Sequence, residues 1–190
     1  PDARKLDTVT YEEMLDLAAC GAKVLMLRAV EYARNHGVPL HVRSSFSADE
    51  GTLVVNDQES LESAIISGIA HDTSEAKATI RGVPDTPGIA ARVFRPLADA
   101  GVNVDMIVQN VGHGGETDLS FTVPQVELGR TKKTLEPVVR DLGAREMTTD
   151  ASVAKVSIVG AGLHNAPGYA ARMFGTHADA GVNIEMISTS

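Results

Sequence analysis

"DTPGIAARVFRPLADAGVNVDMIVQN" (Asp85–Asn110) decides the fold, because the chain spells it again, with changes, as "NAPGYAARMFGTHADAGVNIEMISTS" (Asn165–Ser190). The two stretches share 14 identities over 26 aligned positions, and "ADAGVN" recurs unchanged at Ala98–Asn103 and Ala178–Asn183. An internal duplication at this spacing makes two small related domains the natural reading of a 190-residue chain.

Within the first copy the hydrophobic period changes twice. Ala76–Val83 reads as a strand running into Pro84 and Asp85, with Thr86 as helix cap and Pro87 at the first helical position. Ala90, Val93, Phe94, Leu97 and Ala98 then recur at helical spacing until Gly101. From Val102 to Gln109 the period becomes two: Val102, Val104, Met106 and Val108 share one face, and Asn103, Asp105, Ile107 and Gln109 the other.

"GHGGE" (Gly112–Glu116) reads as a hairpin loop and Leu119, Phe121 and Val123 as the returning strand. Leu135, Val138, Val139 and Leu142 mark a second helix, and a last strand lies in Arg145–Thr148 or in Val153–Val159. The order is β-α-β-β-α-β, an α+β ferredoxin-like module with two helices on one face of an antiparallel sheet. The second copy repeats only the opening, with Val156–Gly160 as strand, Pro167–Ala180 as helix and Val182–Ile187 as strand. Ala64–Ala70 is a candidate to complete it.

Ahead of the duplication, "TYEE" (Thr10–Glu13) has capping-box spacing before a helix over Tyr11–Cys20. Val24–Asn35 reads as a second helix, Leu40–Ser44 as a strand, and Ser45–Ser60, apart from the apolar Leu53–Val55, as a polar joint holding Asp49, Glu50 and Glu59, with Glu62 just beyond.

The chemistry-bearing residues are sparse. Cys20, the single cysteine, sits in an apolar setting and reads as a core residue. His36, His41, His71, His113, His164 and His177 show no metal-ligand spacing, and no nucleophile has a visible base. "VGAGLHNAPG" (Val159–Gly168) has G-x-G without the third glycine of a dinucleotide loop, and "VGHGGET" (Val111–Thr117) lacks the lysine of a phosphate loop. A net charge of −8 argues against a nucleic-acid partner, and no apolar run is long enough for a membrane span. The N-terminus shows no leader, so a cytoplasmic location is expected.

What recurs is a Pro-Gly turn opening a helix, followed by a strand. Unpaired amides at a helix start suit a carboxylate, and Asn103, Asp105 and Gln109 are placed to take an ammonium group, so the pattern reads as a receptor for a zwitterion. The alternative is that Pro-Gly simply starts a helix and the polar face simply meets water.

Lys5–Ser47, with its "EEML" and "GAKVL" helices and "VRSSF", resembles the end of the amino-acid-kinase domain of aspartokinases. "SEAK" (Ser74–Lys77), Val102–Asn110 and "NIEMISTS" (Asn183–Ser190) resemble the tandem ACT regulatory domains of the same family. The resemblance implies residues 1–47 as the end of the kinase domain, 48–63 as linker, 72–149 as a first ACT domain inserted in a second, and 64–71 with 150–190 as that second domain, incomplete at its C-terminus. It implies the regulatory part of an enzyme that phosphorylates aspartate with ATP, catalytically inactive by itself, with ATP and Mg confined to the missing kinase domain and no cofactor in this chain.

It further implies threonine and/or lysine as feedback effectors, a homodimer through the ACT domains, and a catalytic aspartokinase domain or subunit as partner. Carried over by motif, the effector site uses Asp85, Gly88, Ile89, Ala90, Asn103, Asp105 and Gln109, completed by Asn183 and Ile184 of the other unit. The Gly112 loop departs from the family's usual serine and longer loop, which bears on effector preference. The alternative function is a non-enzymatic ACT sensor regulating another protein.

Overall fold

A computed structural model describes residues 5–56, 66–110, 112, 114–160, 163 and 167–189. Glu59, Glu62, Ala64, His113, His164 and the Asn165–Ala166 start of the second Pro-Gly turn lie outside the described residues. The chain divides into two units, Pro1–Asp72 with Val156–Asn183, and Thr73–Lys155 with Ile184–Ser190.

The first unit opens with β1 (Thr8–Thr10) and α1 (Tyr11–Ala19), and the capping box forms: the Glu13 amide donates to Thr10 Oγ1 at 3.1 Å and the Thr10 amide donates to Glu13 Oε2 at 3.0 Å. Replacing Thr10 with Ala leaves the Glu13 amide without its acceptor, and we expect a loss of about 1 kcal/mol in the urea unfolding of this unit. Helix α2 spans Leu27–Asn35, not Val24–Asn35, because Met26 is extended and the residues between it and Gly21 are spent on the turn.

The polar joint is corrected at its centre. Thr52–Val55 forms β3, the middle strand of a three-stranded sheet, parallel to β1 and antiparallel to β2 (Leu40–Val42). Val54, fully buried, joins Val9, Tyr11, Met14, Val30 and Ala33 in one core, so residues 52–55 belong to the folded first unit and not to a linker.

Strand β4 (Gly68–Asp72) pairs with β9 (Lys155–Val159). Two glycines let α1 approach β4 closely. A Cβ on Gly68 would stand 2.9 Å from Leu17 Cδ2, and one on Gly21 would stand 2.8 Å from the His71 carbonyl oxygen. The Ser67 hydroxyl also donates to Glu13 Oε1, tying the capping box to the start of β4. Helix α5 (Tyr169–Asp179) begins at Gly168 and buries none of its residues. Val182–Ile187 is not a strand, since no neighbour pairs with it among the described residues.

In the second unit β5 (Glu75–Pro84), α3 (Ile89–Asp99), β6 (Ile107–Gln109), β7 (Glu116–Pro124), α4 (Leu128–Asp141) and β8 (Glu146–Asp150) realise the β-α-β-β-α-β order. The sheet order is β6-β7-β5-β8 with every pair antiparallel. Of the two candidates for the last strand, the one near Arg145–Thr148 closes this sheet, while Lys155–Val159 goes to β4. Alternate residues of β5 and β7 meet Val93 and Leu97 of α3 and Leu135 of α4, so both helices cover one face. Ile184–Ser190 groups with this unit, as do residues 150–155, and not with residues 64–71 and 156–183, and the Lys77 Nζ to Glu185 Oε2 pair at 2.6 Å is one contact that holds it there.

The repeated "ADAGVN" marks a helix end. Gly101 takes φ +71°, its amide donates to Ala98, and the Val102 amide donates to Leu97 at 2.9 Å; Gly181 and Val182 repeat this on Ala178 and His177. This is the Schellman arrangement, which requires a residue tolerant of positive φ just past the helix.

Candidate functional site

The turn between β5 and α3 hangs on the β6–β7 hairpin. Pro84 pairs with Glu116, the Asp85 amide donates to the Gly115 carbonyl at 2.8 Å, and the Ile89 amide donates to the Thr86 carbonyl at 3.2 Å. Gly88, not Thr86, is the N-cap, with φ +90°, and Pro87 precedes the helix. An L-residue is strained at that φ, so the backbone itself selects glycine. A Cβ there would have nothing within 4 Å, so the space before the helix is open. The Gly88 and Ala90 amides have no acceptor among the described residues. Ile89 is 5% exposed and sends its side chain into the core, so only its backbone faces the turn. Gly168 before α5 shows the same conformation, φ +97°, and the same open space.

The strand residues do not stay on one face. The Asp105 amide donates to the Thr122 carbonyl at 3.1 Å while the Thr122 amide donates to the Met106 carbonyl at 3.0 Å, so Asp105 and Met106 together oppose Thr122. This is a β-bulge, and one extra residue exchanges the faces beyond it. Val102 and Val104 pack on the core before the bulge. After it Ile107 pairs with Phe121 and Gln109 with Leu119, both core-facing partners. The uniform alternation expected for Val102–Gln109 is corrected accordingly, and only Ile107–Gln109 is regular strand.

Gln109 therefore lies on the helix-bearing side, at the sheet end that carries Asp85 and Gly88. Asn103, at the opposite end of the segment, and Asp105, alternating with Val104, face away from the core and are exposed. The bulge leaves Asp105 and Gln109 on opposite faces of the sheet, so one small amino acid does not meet both side chains. Asp105 also has a cation of its own, since Lys155 Nζ lies 2.5 Å from Oδ2. The expectation that Asp105 and Gln109 together take a ligand's ammonium group is corrected on both grounds. Asn183 is exposed in the first unit, and Ile184 is half-buried in the second.

Four ion pairs among the described residues of the second unit escape sequence reading: Asp105 with Lys155, Lys77 with Glu185, Glu116 with Arg145, and Arg81 with Glu146. Their partners lie 29 to 108 residues apart, beyond any local period. The hydrogen bond from Arg145 to Glu116, with that carboxylate's charge, raises the guanidinium above its ordinary pKa. Among the described residues no three His, Cys, Asp or Glu side chains form a group able to hold a metal, and no helix is long and apolar enough to cross a membrane.

Comparison with known proteins agrees with this architecture. The ACT domain model matches residues 79–137 and 156–190, and the model of the amino acid kinase family matches residues 1–44. The aspartokinase of Mycolicibacterium smegmatis is 50% identical over 194 aligned positions, covering 100% of this chain and 46% of that protein, so the chain spans about half the length of such relatives. The ligand-free regulatory subunit of aspartate kinase from Thermus thermophilus superposes with a TM-score of 0.63 at 42% identity, over 67% of this chain and 83% of that one. E. coli aspartokinase III in complex with lysine and aspartate superposes with a TM-score of 0.68 at 26% identity, over 98% of this chain and 41% of that one. With the kinase-like end, the inserted ferredoxin-like module and its repeated Pro-Gly turn all accounted for, the chain belongs to the aspartokinase family and carries its ACT regulatory part.

Proposed function

We propose that this chain is the feedback-control part of an aspartate kinase, binding threonine, lysine or both at its ACT domains. The catalytic portion with which it works phosphorylates L-aspartate at the expense of ATP. ATP and Mg belong to that portion. The observation that carries the effector reading is the start of α3: unpartnered Gly88 and Ala90 amides stand beside an Asp85 side chain with no partner among the described residues. Amides at a helix start attract a carboxylate, and Asp85 offers an anion for the ammonium group of the same molecule.

Gln109, at the same end of the sheet, supplies both a donor and an acceptor. Asn103 and Asp105 lie outside this cluster, while Asn183 and Ile184 are contributed by another ACT unit of the assembled protein. Support for amino-acid binding also comes from the E. coli relative described with lysine. In this reading the protein is cytoplasmic and dimerises through its ACT domains. Effector binding then shifts the catalytic portion through Leu40–Ser47, a coupling of about 1–3 kcal/mol being enough for substantial inhibition.

Calorimetric titration with threonine and with lysine tests this directly. Heat of binding is expected with at least one of them, and Gln109→Ala should raise its Kd about tenfold, the effect of losing a hydrogen bond to a charged group. No heat with either amino acid would overturn the reading.

A further inference from the structure

The rim of the second unit where the β6–β7 hairpin meets the start of α3 gathers four carboxylates, and the chain has already engaged three of them. Glu116 is paired with Arg145. Asp118 Oδ1 accepts the Gly82 amide at 2.9 Å, and Glu146 lies 3.3 Å from Arg81. Asp85 alone has no side-chain partner among the described residues.

The Arg145–Glu116 pair is seated by the backbone. Gly82 takes φ +64° at an irregularity in β5, and a Cβ there would stand 2.6 Å from Arg145 Nε and 3.2 Å from Glu116 Oε2. The missing side chain is therefore the bed in which the guanidinium lies. The Arg145 amide donates to the Arg81 carbonyl at 2.9 Å, which fixes the root of the side chain as well. Glu116 pairs with Pro84, the residue before Asp85, and follows Gly115, whose carbonyl receives the Asp85 amide. Its position in β7 alternates with the core residues Thr117 and Leu119, so the pair occupies the sheet face away from the helices. Released from Arg145, a glutamate has the length and torsional freedom to turn round the rim towards Asp85.

We propose that Arg145 is a selectivity residue of the effector end: by holding Glu116 over Gly82 it leaves Asp85 as the single unpaired anion at the rim and favours amino acids with an uncharged side chain. Asp85 takes the α-ammonium group. A lysine effector brings a second ammonium on a four-carbon stem and finds no second anion. Arg145 positions Glu116 and does not touch the ligand. This inference rests on the effector reading above.

The test is calorimetry on the whole chain with L-threonine, L-lysine and L-norleucine, the last having an uncharged side chain of the same carbon count as lysine. The wild type is expected to bind threonine more tightly than lysine. Arg145→Gln should improve lysine affinity about fivefold, the upper range for an exposed ion pair, with threonine changed by less than about twofold. Norleucine should gain nothing, and about 0.5 M salt should remove most of the lysine gain by screening. Adding Glu116→Gln to Arg145→Gln should return lysine to its wild-type affinity.

Arg145 is exposed, so a folded variant is expected, and unchanged thermal unfolding of both variants checks it. A wild type that already prefers lysine, or a lysine-to-threonine ratio unmoved by Arg145→Gln, overturns this inference and leaves the effector reading standing. A wild type that binds neither amino acid overturns both.

Discussion

Phe121→Ala is expected to destabilise the second unit by about 3–5 kcal/mol, the usual cost of truncating a fully buried phenylalanine. Phe121 is 0% exposed, sits in the central strand pair opposite Ala78, and meets Phe94 of α3 edge-on with ring centroids 5.3 Å apart. Alanine forfeits both the apolar burial and that aromatic contact, and strands hydrogen-bonded on either side limit how far the cavity can collapse. The loss is a large part of the stability of a small domain. The chain offers a way to see which unit suffers. All three tyrosines, Tyr11, Tyr32 and Tyr169, lie in the first unit, and there is no tryptophan. In urea the Phe121→Ala chain should therefore lose part of its far-ultraviolet circular dichroism early, while tyrosine fluorescence keeps its wild-type midpoint. A shared, unshifted transition would contradict the assigned core.

Gly21→Ala is expected to act on the other unit, by about 3 kcal/mol. Gly21 and Gly37 both end helices in the Schellman arrangement, with φ +105° and +63°. Alanine at Gly37, where a Cβ meets nothing within 4 Å, should cost only the backbone strain of about 1 kcal/mol. At Gly21 the same strain adds to a forced approach to the His71 carbonyl, a backbone atom that can retreat only by moving β4 off α1. The tyrosine transition should fall further for Gly21→Ala than for Gly37→Ala, with the dichroism of the second unit unchanged. Equal costs would mean that α1 and β4 are not in close register.

Much of this was legible in the residues. The helix ends were, because glycine after "ADA" answers a local demand of the backbone. The capping box at Thr10–Glu13 was, because its partners stand three apart. The β-α-β-β-α-β order followed from changes of period, and the family from motifs in sequence order. What stayed hidden depended on distant partners. Leu53–Val55 looks like a patch within a polar joint until β1 and β2 are found on either side of it. The bulge at Asp105–Met106 leaves only one trace in "VNVDMIVQ", the apolar Ile107 falling where the alternation calls for a polar residue, and that trace does not say where the extra residue lies. Thr122, from another strand, bonds both residues and turns Gln109 to the helix-bearing side. Half of the polar face expected of that segment is consequently unavailable to one ligand. The second copy's "VNIEMI" shows the converse, a strand-like pattern with no strand alongside it among the described residues.

Strands β4 and β9 are neighbours in one sheet although 82 residues lie between Asp72 and Lys155. The polypeptide that leaves at one strand and returns at the next behaves as a guest whose entrance and exit share a doorway. Such a guest could be excised, or exchanged for one of another specificity, with the host's hydrogen-bond ladder serving as the splice.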